Sequence, residues 1–204
     1  MKKLIVSSVV LLMSLAGVAH AAGDAAAGEG KVAVCAGCHG VDGNSMVPTF
    51  PNLAGQGEKY IVKQIADFKA MATRKNDTMT GMAMTVATDQ DAEDIAAFYA
   101  AQKLNSTAVV DDSKLAMGRE IYKGGNLQTG VPACQGCHGP TGAGNEAAGY
   151  PQLKGQHADY TKAQLHAFKD GSRSNDDRSM MRNALVRLSE EELEAVAQYI
   201  ASLK

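Results

Sequence analysis

Four cysteines and two histidines form the most specific chemical pattern in the chain. They make two Cys-x-x-Cys-His motifs about 100 residues apart: Cys35, Cys38 and His39, then Cys134, Cys137 and His138. Two thiols three positions apart on a helical turn suit thioether bonds to the vinyl groups of one porphyrin, and the adjacent imidazole suits its iron. The spacing therefore predicts two covalently bound haem c groups, each with a proximal histidine.

Three other uses of these cysteines fit the spacing less well. The paired motifs of structural zinc sites usually lie about 15–20 residues apart, whereas 95 residues separate Cys38 from Cys134. A thioredoxin-like redox pair needs a βαβ context, and no alternating strand pattern of useful length occurs. Two disulfides would leave both following histidines without a role. Haem attachment is therefore favoured, with zinc or disulfide modules as the non-haem alternative.

The second axial ligand of each iron is predicted to be methionine. His39 is the only histidine between residues 22 and 102, so a bis-histidine site there would need a ligand from the other half. A His/Met pair raises the reduction potential of the iron and closes it to small molecules, which suits electron transfer. Methionines cluster at matching places in the two halves: Met79, Met82 and Met84, then Met180 and Met181.

His157 and His166 are alternative ligands for the second iron. The repeat aligns them with Gly57 and Ala66, which do not bind iron. We therefore predict packing or surface roles for both histidines.

Prolines and glycines that recur in both halves are predicted to support the haem sites. Pro51 and Pro151 either offer a backbone carbonyl to the proximal imidazole N–H, a bond that fixes the ring orientation, or are plain turn prolines. Glycines follow each motif where we expect the backbone to pass close to the porphyrin: Gly40, Gly43, Gly139 and Gly142.

The repeat extends beyond the haem motifs. Residues 51–56 read PNLAGQ and residues 151–156 read PQLKGQ, in the same order relative to the motifs. Chance similarity would not keep order and spacing over this distance, so two copies of one small domain is the economical interpretation. We place the first domain at 22–101, a linker at 102–112 and the second domain at 113–204.

Both copies are predicted to be helical. Helices are expected over 24–34 and 60–71, with counterparts over 113–122 and 160–170. Each copy closes with a helix that starts at a capping box, Thr88 with Asp91 and Ser189 with Glu192. The predicted fold class is all-α, with two tandem helical domains, each wrapped around one covalently attached haem.

The N-terminus has the pattern of a secretory signal peptide. Lys2 and Lys3 precede an apolar run from Leu4 to Val18, and Ala19-His20-Ala21 supplies a small-residue cleavage site. The run is short for a membrane-spanning helix, which is the alternative interpretation. We therefore predict that residues 1–21 are removed by cleavage after Ala21 and that the protein works outside the cytoplasm.

Composition narrows the remaining possibilities. The 204 residues include 45% apolar and 21% charged side chains but no Trp, so each half buries only a small core without a cofactor. Removal of Lys2 and Lys3 changes the formal net charge from −2 to −4, all of it within residues 22–102. A mildly acidic protein without a basic patch is not expected to bind nucleic acid. No segment after the signal peptide is apolar and long enough to span a bilayer.

Taken together, these residues resemble the dihaem cytochromes c4 of Gram-negative bacteria. The resemblance covers residues 22–204, and the two Pro-x-Leu-x-Gly-Gln segments make it more specific than the haem motifs alone. It implies two cytochrome c-like domains, with haem bound through Cys35, Cys38, Cys134 and Cys137. It also implies two axial pairs, His39 with Met79 and His138 with Met181.

Two departures from the family pattern leave Met82 and Met180 open as ligands. The segment from Met79 to Thr88 is one residue longer than usual in the family. Direct alignment of the two repeats pairs Met79 with Met180, whereas the family's Met-Arg pattern favours Met181.

The resemblance also implies a function. Members of this family are periplasmic, often loosely membrane-associated electron carriers, not enzymes, and they deliver electrons to a terminal haem-copper oxidase. A quinol–cytochrome c oxidoreductase complex is the expected class of donor. The rival interpretation is a haem enzyme or enzyme subunit, such as a dihaem peroxidase or the electron-transfer subunit of a dehydrogenase. Such an enzyme would need an open or displaceable sixth position on one iron.

Overall fold

A computed structural model describes residues 22–204, which contain two consecutive sets of five α-helices. The predicted signal peptide lies outside the described residues. The first set is α1 (Ala25–Glu29), α2 (Ala33–His39), α3 (Glu58–Ala70), α4 (Asp77–Met84) and α5 (Asp89–Ala100). The second is α6 (Leu115–Gly124), α7 (Gln135–His138), α8 (Ala158–Lys169), α9 (Met180–Leu185) and α10 (Glu190–Ser202). Short 3-10 turns at Asp112–Lys114 and Asp177–Ser179 precede α6 and α9.

The second set repeats the packing of the first, helix for helix. In the first half α5 packs against α1 and α3, and α3 also contacts α4. In the second half α10 packs against α6 and α8, and α8 also contacts α9. Over residues 22–204, extended pairing is limited to two isolated bridges, Asn126 with Val131 and Asn145 with Tyr150. The predicted all-α class with two tandem helical units is confirmed.

The individual helices differ from the predictions in extent. The helix expected over 24–34 is interrupted by a turn between Glu29 and Ala33, and the carboxylate of Asp24 caps its first part through the N–H groups of Ala26 and Ala27. The apolar periodicity of the sequence does not predict α4 and α9. These helices are only eight and six residues long, so they offer too few turns to establish an apolar period.

Both closing helices begin at complete capping boxes, as predicted. The Thr88 hydroxyl accepts from the Asp91 N–H, and the Asp91 carboxylate accepts from the Thr88 N–H, both at 3.1 Å. Ser189 and Glu192 repeat these bonds at 3.2 and 2.7 Å. Each box satisfies two N–H groups that a helix start leaves unpaired, and the loss of such a cap costs about 1 kcal/mol.

The first and last helices of each half cross at a glycine. A Cβ added at Gly28 would lie 2.1 Å from the carbonyl oxygen of Asp94, and one added at Gly118 would lie 2.0 Å from that of Ala195. Only a residue without a side chain lets two helix backbones approach this closely. The crossings therefore fix how α1 sits on α5 and how α6 sits on α10.

Each half has its own hydrophobic core against the closing helix. The first core includes Ile61, Phe68, Ile95 and Tyr99. The second includes Leu165, Phe168, Leu193, Val196 and Ile200. Leu193 is completely buried, and burying a leucine side chain stabilises the folded state by about 1.5–3 kcal/mol.

The region predicted as a linker is hydrogen-bonded to both halves. The Asn105 N–H donates to the Asn44 side chain at 2.8 Å, and the Ser106 hydroxyl donates to the Gly155 carbonyl at 2.6 Å. The two halves are therefore held against each other by ordered contacts along this segment. Among the helices of residues 22–204, none combines the length and the apolar character needed to cross a bilayer.

Candidate haem sites

Each haem motif lies on a short helix at the edge of a core. The first motif is contained in α2, and α7 begins directly after Cys134 and carries the rest of the second. All four cysteines are free thiols. Cys35 and Cys134 pack against the two cores, whereas Cys137 is exposed. Each half thus presents two thiols on one helical turn beside apolar side chains, as attachment to a porphyrin requires.

One thiol of each motif has a raised pKa, and the surrounding side chains in the described part of the chain form no metal cluster. Burial raises the pKa of the Cys35 thiol and raises that of Cys134 to about 11, so both are protonated at neutral pH. Within the described residues, no group of three or more His, Cys, Asp or Glu side chains is arranged to hold a metal ion.

Both proximal histidines are oriented by the same backbone contact. The Nδ1 atom of His39 lies 2.9 Å from the Pro51 carbonyl oxygen, and that of His138 lies 3.0 Å from the Pro151 carbonyl oxygen. A carbonyl oxygen only accepts, so Nδ1 carries the proton and the Nε2 lone pair is free for a metal. The prolines therefore hold the imidazoles, which is the first of the two roles expected for them.

The two imidazoles are buried and are held in the neutral form. His39 is 5% exposed and His138 is 6% exposed. Burial lowers the pKa of both histidines and outweighs the opposing effect of the bonds to the proline carbonyls. Neutral imidazole is the form that binds iron.

A repeated turn holds each proline carbonyl under its imidazole. The Gly43 carbonyl accepts from the N–H groups of Leu53 and Ala54 at 2.7 and 3.1 Å, and Gly142 repeats both bonds in the second half. Gly40 adopts a φ of 82°, and a Cβ there would lie 2.3 Å from a backbone oxygen. The backbone turn itself therefore requires glycine at this position, before any approach to a porphyrin is considered.

In each methionine cluster, the residue expected from the family resemblance packs against a core. Met79 of α4 contacts the first core, and Met181 of α9 contacts the second. Met82 and Met180 are 37% and 39% exposed, and the Met180 sulfur lies 3.8 Å from the Tyr150 hydroxyl. The packing favours Met79 and Met181 as iron ligands over their neighbours.

A strained turn fixes the start of α9. Arg178 and Ser179 adopt left-handed conformations with φ of 49° and 58°, which cost residues other than glycine about 1–3 kcal/mol each. The Asp176 carboxylate braces the turn by accepting from the backbone N–H and from Nε of Arg182, at 3.0 and 2.8 Å. The turn directly precedes Met180 and Met181, the two candidate ligands of the second half.

The two other histidines have packing and surface roles, as predicted. His157 is 3% exposed, and its Nε2 lies 2.9 Å from the Ser45 carbonyl oxygen of the first half. His166 lies nearer the surface, with Nε2 at 3.1 Å from the Glu190 carboxylate.

Sequence patterns assign no role to two arginines that the structure places between the halves. Arg74 and Arg173 are each 6% exposed, and each guanidinium lies 4.3 Å from the centre of a phenylalanine ring in its own half. Both arginines precede a candidate methionine ligand, which is the signal that could have identified them. Arg74 precedes Met79 by five residues, whereas Arg173 precedes Met181 by eight. This difference in spacing hides the recurrence of the arginines in the sequence.

The side chains present in each half fit one haem c. A haem offers two vinyl groups for thioether bonds and an iron with two axial positions. Each half offers two free thiols, one imidazole with an available Nε2 and one thioether packed on the same core. These four groups account for every bond that the cofactor needs from the protein.

Comparisons with known proteins show the family of this chain. Residues 25–101 and 115–204 each match the family model described as cytochrome c. The chain is 50% identical over 212 residues to a cytochrome c4 of Stutzerimonas stutzeri, covering 100% of both chains. It also matches a thiosulfate dehydrogenase electron acceptor of the same species at 36% identity, over 83% of this chain and 78% of that protein.

A solved structure agrees at the level of the fold. The crystal structure of reduced recombinant cytochrome c4 from Pseudomonas stutzeri superimposes with a TM-score of 0.85 at 49% identity, covering 90% of this chain and 100% of that one. Two tandem cytochrome c domains and two Cys-x-x-Cys-His motifs therefore occur together in one fold. The chain belongs to the cytochrome c4 family, and it is a dihaem electron-transfer protein with haem c bound covalently in each half.

Proposed function

We propose that this protein is a periplasmic carrier that passes electrons from a quinol–cytochrome c oxidoreductase complex to a terminal haem-copper oxidase. The location rests on the N-terminal pattern, which predicts export and cleavage after Ala21. Peripheral association with the membrane would bring the carrier close to both partners. The proposed domains are 22–101 and 113–204, joined by the linker 102–112.

In the proposed sites, cysteines bind the haem edge and a His/Met pair binds each iron. Cys35 and Cys38 attach the first haem, with His39 and Met79 as axial ligands. Cys134 and Cys137 attach the second, with His138 and Met181 as axial ligands. When bound, each haem supplies a one-electron couple between ferrous and ferric iron.

The protein's task is to keep these ligands in place in both oxidation states. The proline carbonyls hold each imidazole with Nε2 available, so the ring need not reorient when the charge on the iron changes. The cores around Met79 and Met181 keep the thioethers in apolar surroundings. Burial disfavours the extra positive charge of the ferric state and, with the thioether ligand, raises the reduction potential.

The observation that carries the proposal is that each half contains both an imidazole held with Nε2 available and a thioether that packs on its core. Both axial positions of each iron then have a protein ligand, which leaves no site for a substrate. A dihaem peroxidase would need a displaceable ligand on one iron. The pairing therefore favours a carrier over an enzyme.

A second partner is favoured by one relative. Because the thiosulfate dehydrogenase electron acceptor is 36% identical over most of the chain, a dehydrogenase is a second candidate donor. The protein would still be an electron carrier, but it would receive its electrons from a dehydrogenase.

Oxygen consumption tests the proposed acceptor. Reduced protein would be added to membrane vesicles that contain one haem-copper oxidase and no other oxidase, with the protein's haem absorbance followed in parallel. We expect rapid reoxidation and oxygen uptake, both stopped by cyanide. Vesicles prepared from cells lacking that oxidase are the control. Reoxidation at the same rate in both preparations would contradict the assignment of the oxidase as acceptor.

The donor is tested by the reverse reaction. Oxidised protein would be mixed with the quinol–cytochrome c oxidoreductase complex and a quinol, or separately with thiosulfate dehydrogenase and thiosulfate. Faster reduction by the first system supports the proposal, and faster reduction by the second assigns the donor to the dehydrogenase.

A further inference from the structure

Two glutamines cross the interface between the halves in a reciprocal arrangement. Gln156 accepts from the Asn52 N–H through Oε1 at 2.8 Å and donates from Nε2 to the Asn52 carbonyl at 3.0 Å. Gln56 makes the same two bonds to the backbone of Gln152, also at 2.8 and 3.0 Å. These glutamines end the repeated Pro-x-Leu-x-Gly-Gln segments, so each copy of the segment holds the other.

The bonded N–H groups belong to the peptides that orient the proximal histidines. The N–H of Asn52 and the carbonyl of Pro51 are the two ends of one peptide group. Its carbonyl accepts from His39 at 2.9 Å, and its N–H donates to Gln156 at 2.8 Å. A continuous hydrogen-bond chain therefore runs from the imidazole of the first half to a side chain of the second.

The second half repeats this chain of hydrogen bonds. The peptide between Pro151 and Gln152 accepts from His138 at 3.0 Å and donates to Gln56 at 2.8 Å. Each imidazole is therefore linked to the glutamine of the opposite half, and not to that of its own.

The orientation of both glutamine amides is fixed by their neighbours. Oε1 of Gln156 accepts from a second N–H, that of His157, at 3.1 Å, and Oε1 of Gln56 accepts likewise from Gly57 at 3.1 Å. Backbone N–H groups only donate. In a flipped amide Nε2 would therefore face two N–H donors and could accept a hydrogen bond from neither. Gln56 and Gln156 are 5% and 8% exposed, so water competes little for these bonds.

We propose that Gln156 and Gln56 are positioning residues that tune the haem of the opposite half through these shared peptides. A hydrogen bond accepted from a peptide N–H polarises that peptide and makes its carbonyl oxygen a stronger acceptor. The stronger bond to Nδ1–H makes the imidazole a more electron-rich ligand, which favours ferric iron and lowers the reduction potential. The inference rests on the proposed ligation by His39 and His138.

The arrangement couples each iron to the docking of the two halves. Any movement that withdraws Gln156 from Asn52 weakens the chain to the first haem, and the same movement at Gln56 weakens the chain to the second. Both reduction potentials therefore rise when the halves separate at this interface.

Single substitutions test the crosswise assignment. Gln156→Leu removes the acceptor while keeping an apolar side chain of similar size, and Gln56→Leu does the same in the first half. Each substitution would be combined in turn with Met79→His or Met181→His. The histidine ligand lowers the reduction potential of one haem and so separates it from that of the other. Spectroelectrochemistry then assigns the unshifted potential to the haem that keeps its methionine. We expect Gln156→Leu to raise the potential of the first haem only, and Gln56→Leu that of the second only.

A matched control crosses the same interface without touching either shared peptide. The Tyr160 hydroxyl of the second half lies 3.0 Å from the guanidinium of Arg74 in the first, so Tyr160→Phe removes one contact between the halves and leaves both histidine chains intact. We expect this variant to leave both potentials unchanged. The milder Gln156→Asn, which is too short to reach Asn52, should shift the first haem in the same direction as Gln156→Leu.

Amide exchange supplies a readout that does not depend on the potentials. Gln156→Leu should accelerate hydrogen exchange at Asn52 N–H and leave Gln152 N–H protected, and Gln56→Leu should do the reverse. Faster exchange without any change in potential would overturn the tuning role, as would a shift of the wrong haem or equal shifts in the Tyr160→Phe control. If the unsubstituted protein lacks His/Met spectra, the proposed ligation itself fails, and the relay fails with it.

Discussion

The guanidinium of Arg74 lies 3.0 Å from the hydroxyl of Tyr160, and the other half returns this contact as Arg173 with Tyr60 at 3.1 Å. Each arginine thus reaches from its own half to a tyrosine of the opposite one. Arg173 also contacts Gln64 of the first half at 3.1 Å. Together with the crossed glutamines, these contacts make the interface between the halves polar and symmetric.

The first prediction concerns the ionisation of Tyr60. Burial alone would raise its pKa, but the positive charges of Arg173 and Arg74 outweigh burial and lower the pKa to about 8. We expect a tyrosine Cζ resonance, in protein labelled with ¹³C-tyrosine, to titrate near pH 8. The resonance should be absent from Tyr60→Phe.

The same shift predicts the pH dependence of stability. Because the pKa of Tyr60 is lower in the folded protein than in the unfolded chain, the unfolded chain binds the extra proton between about pH 8 and 10. The contribution of Tyr60 to the free energy of unfolding therefore grows as pH rises through this window and is lost as pH falls through about 8. Denaturant titrations of the parent and Tyr60→Phe proteins at several pH values should differ in this slope. Parallel slopes would show that Tyr60 does not ionise there.

The second prediction separates the methionine candidates. Met79→Ala and Met181→Ala should each abolish the far-red methionine-to-ferric-iron band of one haem, because each removes a thioether that packs on a core. Met82→Ala and Met180→Ala should leave both bands in place, since these side chains are more than a third exposed. Loss of a band in either of the latter variants would reassign that ligand.

The third prediction concerns the helix crossing in the second half. Gly118→Ala places a Cβ 2.0 Å from the Ala195 carbonyl oxygen, so α6 and α10 must move apart, at a cost of about 1–3 kcal/mol. Gly124 lies in the same helix, and a Cβ there meets no atom within 4 Å in the described part of the chain. Gly124→Ala should therefore leave the free energy of unfolding unchanged or raise it by about 0.5–1 kcal/mol. Chemical denaturation followed at the second haem measures both variants, and equal stabilities would rule out a tight crossing at Gly118.

The sequence supports the fold class and the proximal side of each site because these features are local. A Cys-x-x-Cys-His motif brings its own ligands together within one turn, and the capping boxes at Thr88 and Ser189 need only residues three positions away. The repeat further indicates that both halves have the same fold. The proline carbonyls also follow from the repeat, since Pro51 and Pro151 follow the motif histidines by 12 and 13 residues.

The remaining features depend on contacts between distant residues. Met79 and Met82 are both plausible ligands from spacing, and only the packing of α4 against the core distinguishes them. The roles of Arg74 and Gln156 depend on how one half docks on the other. The sequence contains no direct signal for this docking. Gln56 and Gln156 recur at the end of the repeated segments, but this recurrence does not show that each glutamine contacts the opposite half.

The central claim is that two irons, each with a histidine and a methionine ligand, cycle without opening a coordination position. A spectroelectrochemical titration of the purified protein, repeated under carbon monoxide, tests it most directly. We expect two one-electron steps, far-red bands from both ferric haems and potentials that carbon monoxide leaves unchanged. A haem that lacks the far-red band, or whose potential rises sharply because carbon monoxide binds its ferrous iron at neutral pH, would contradict it.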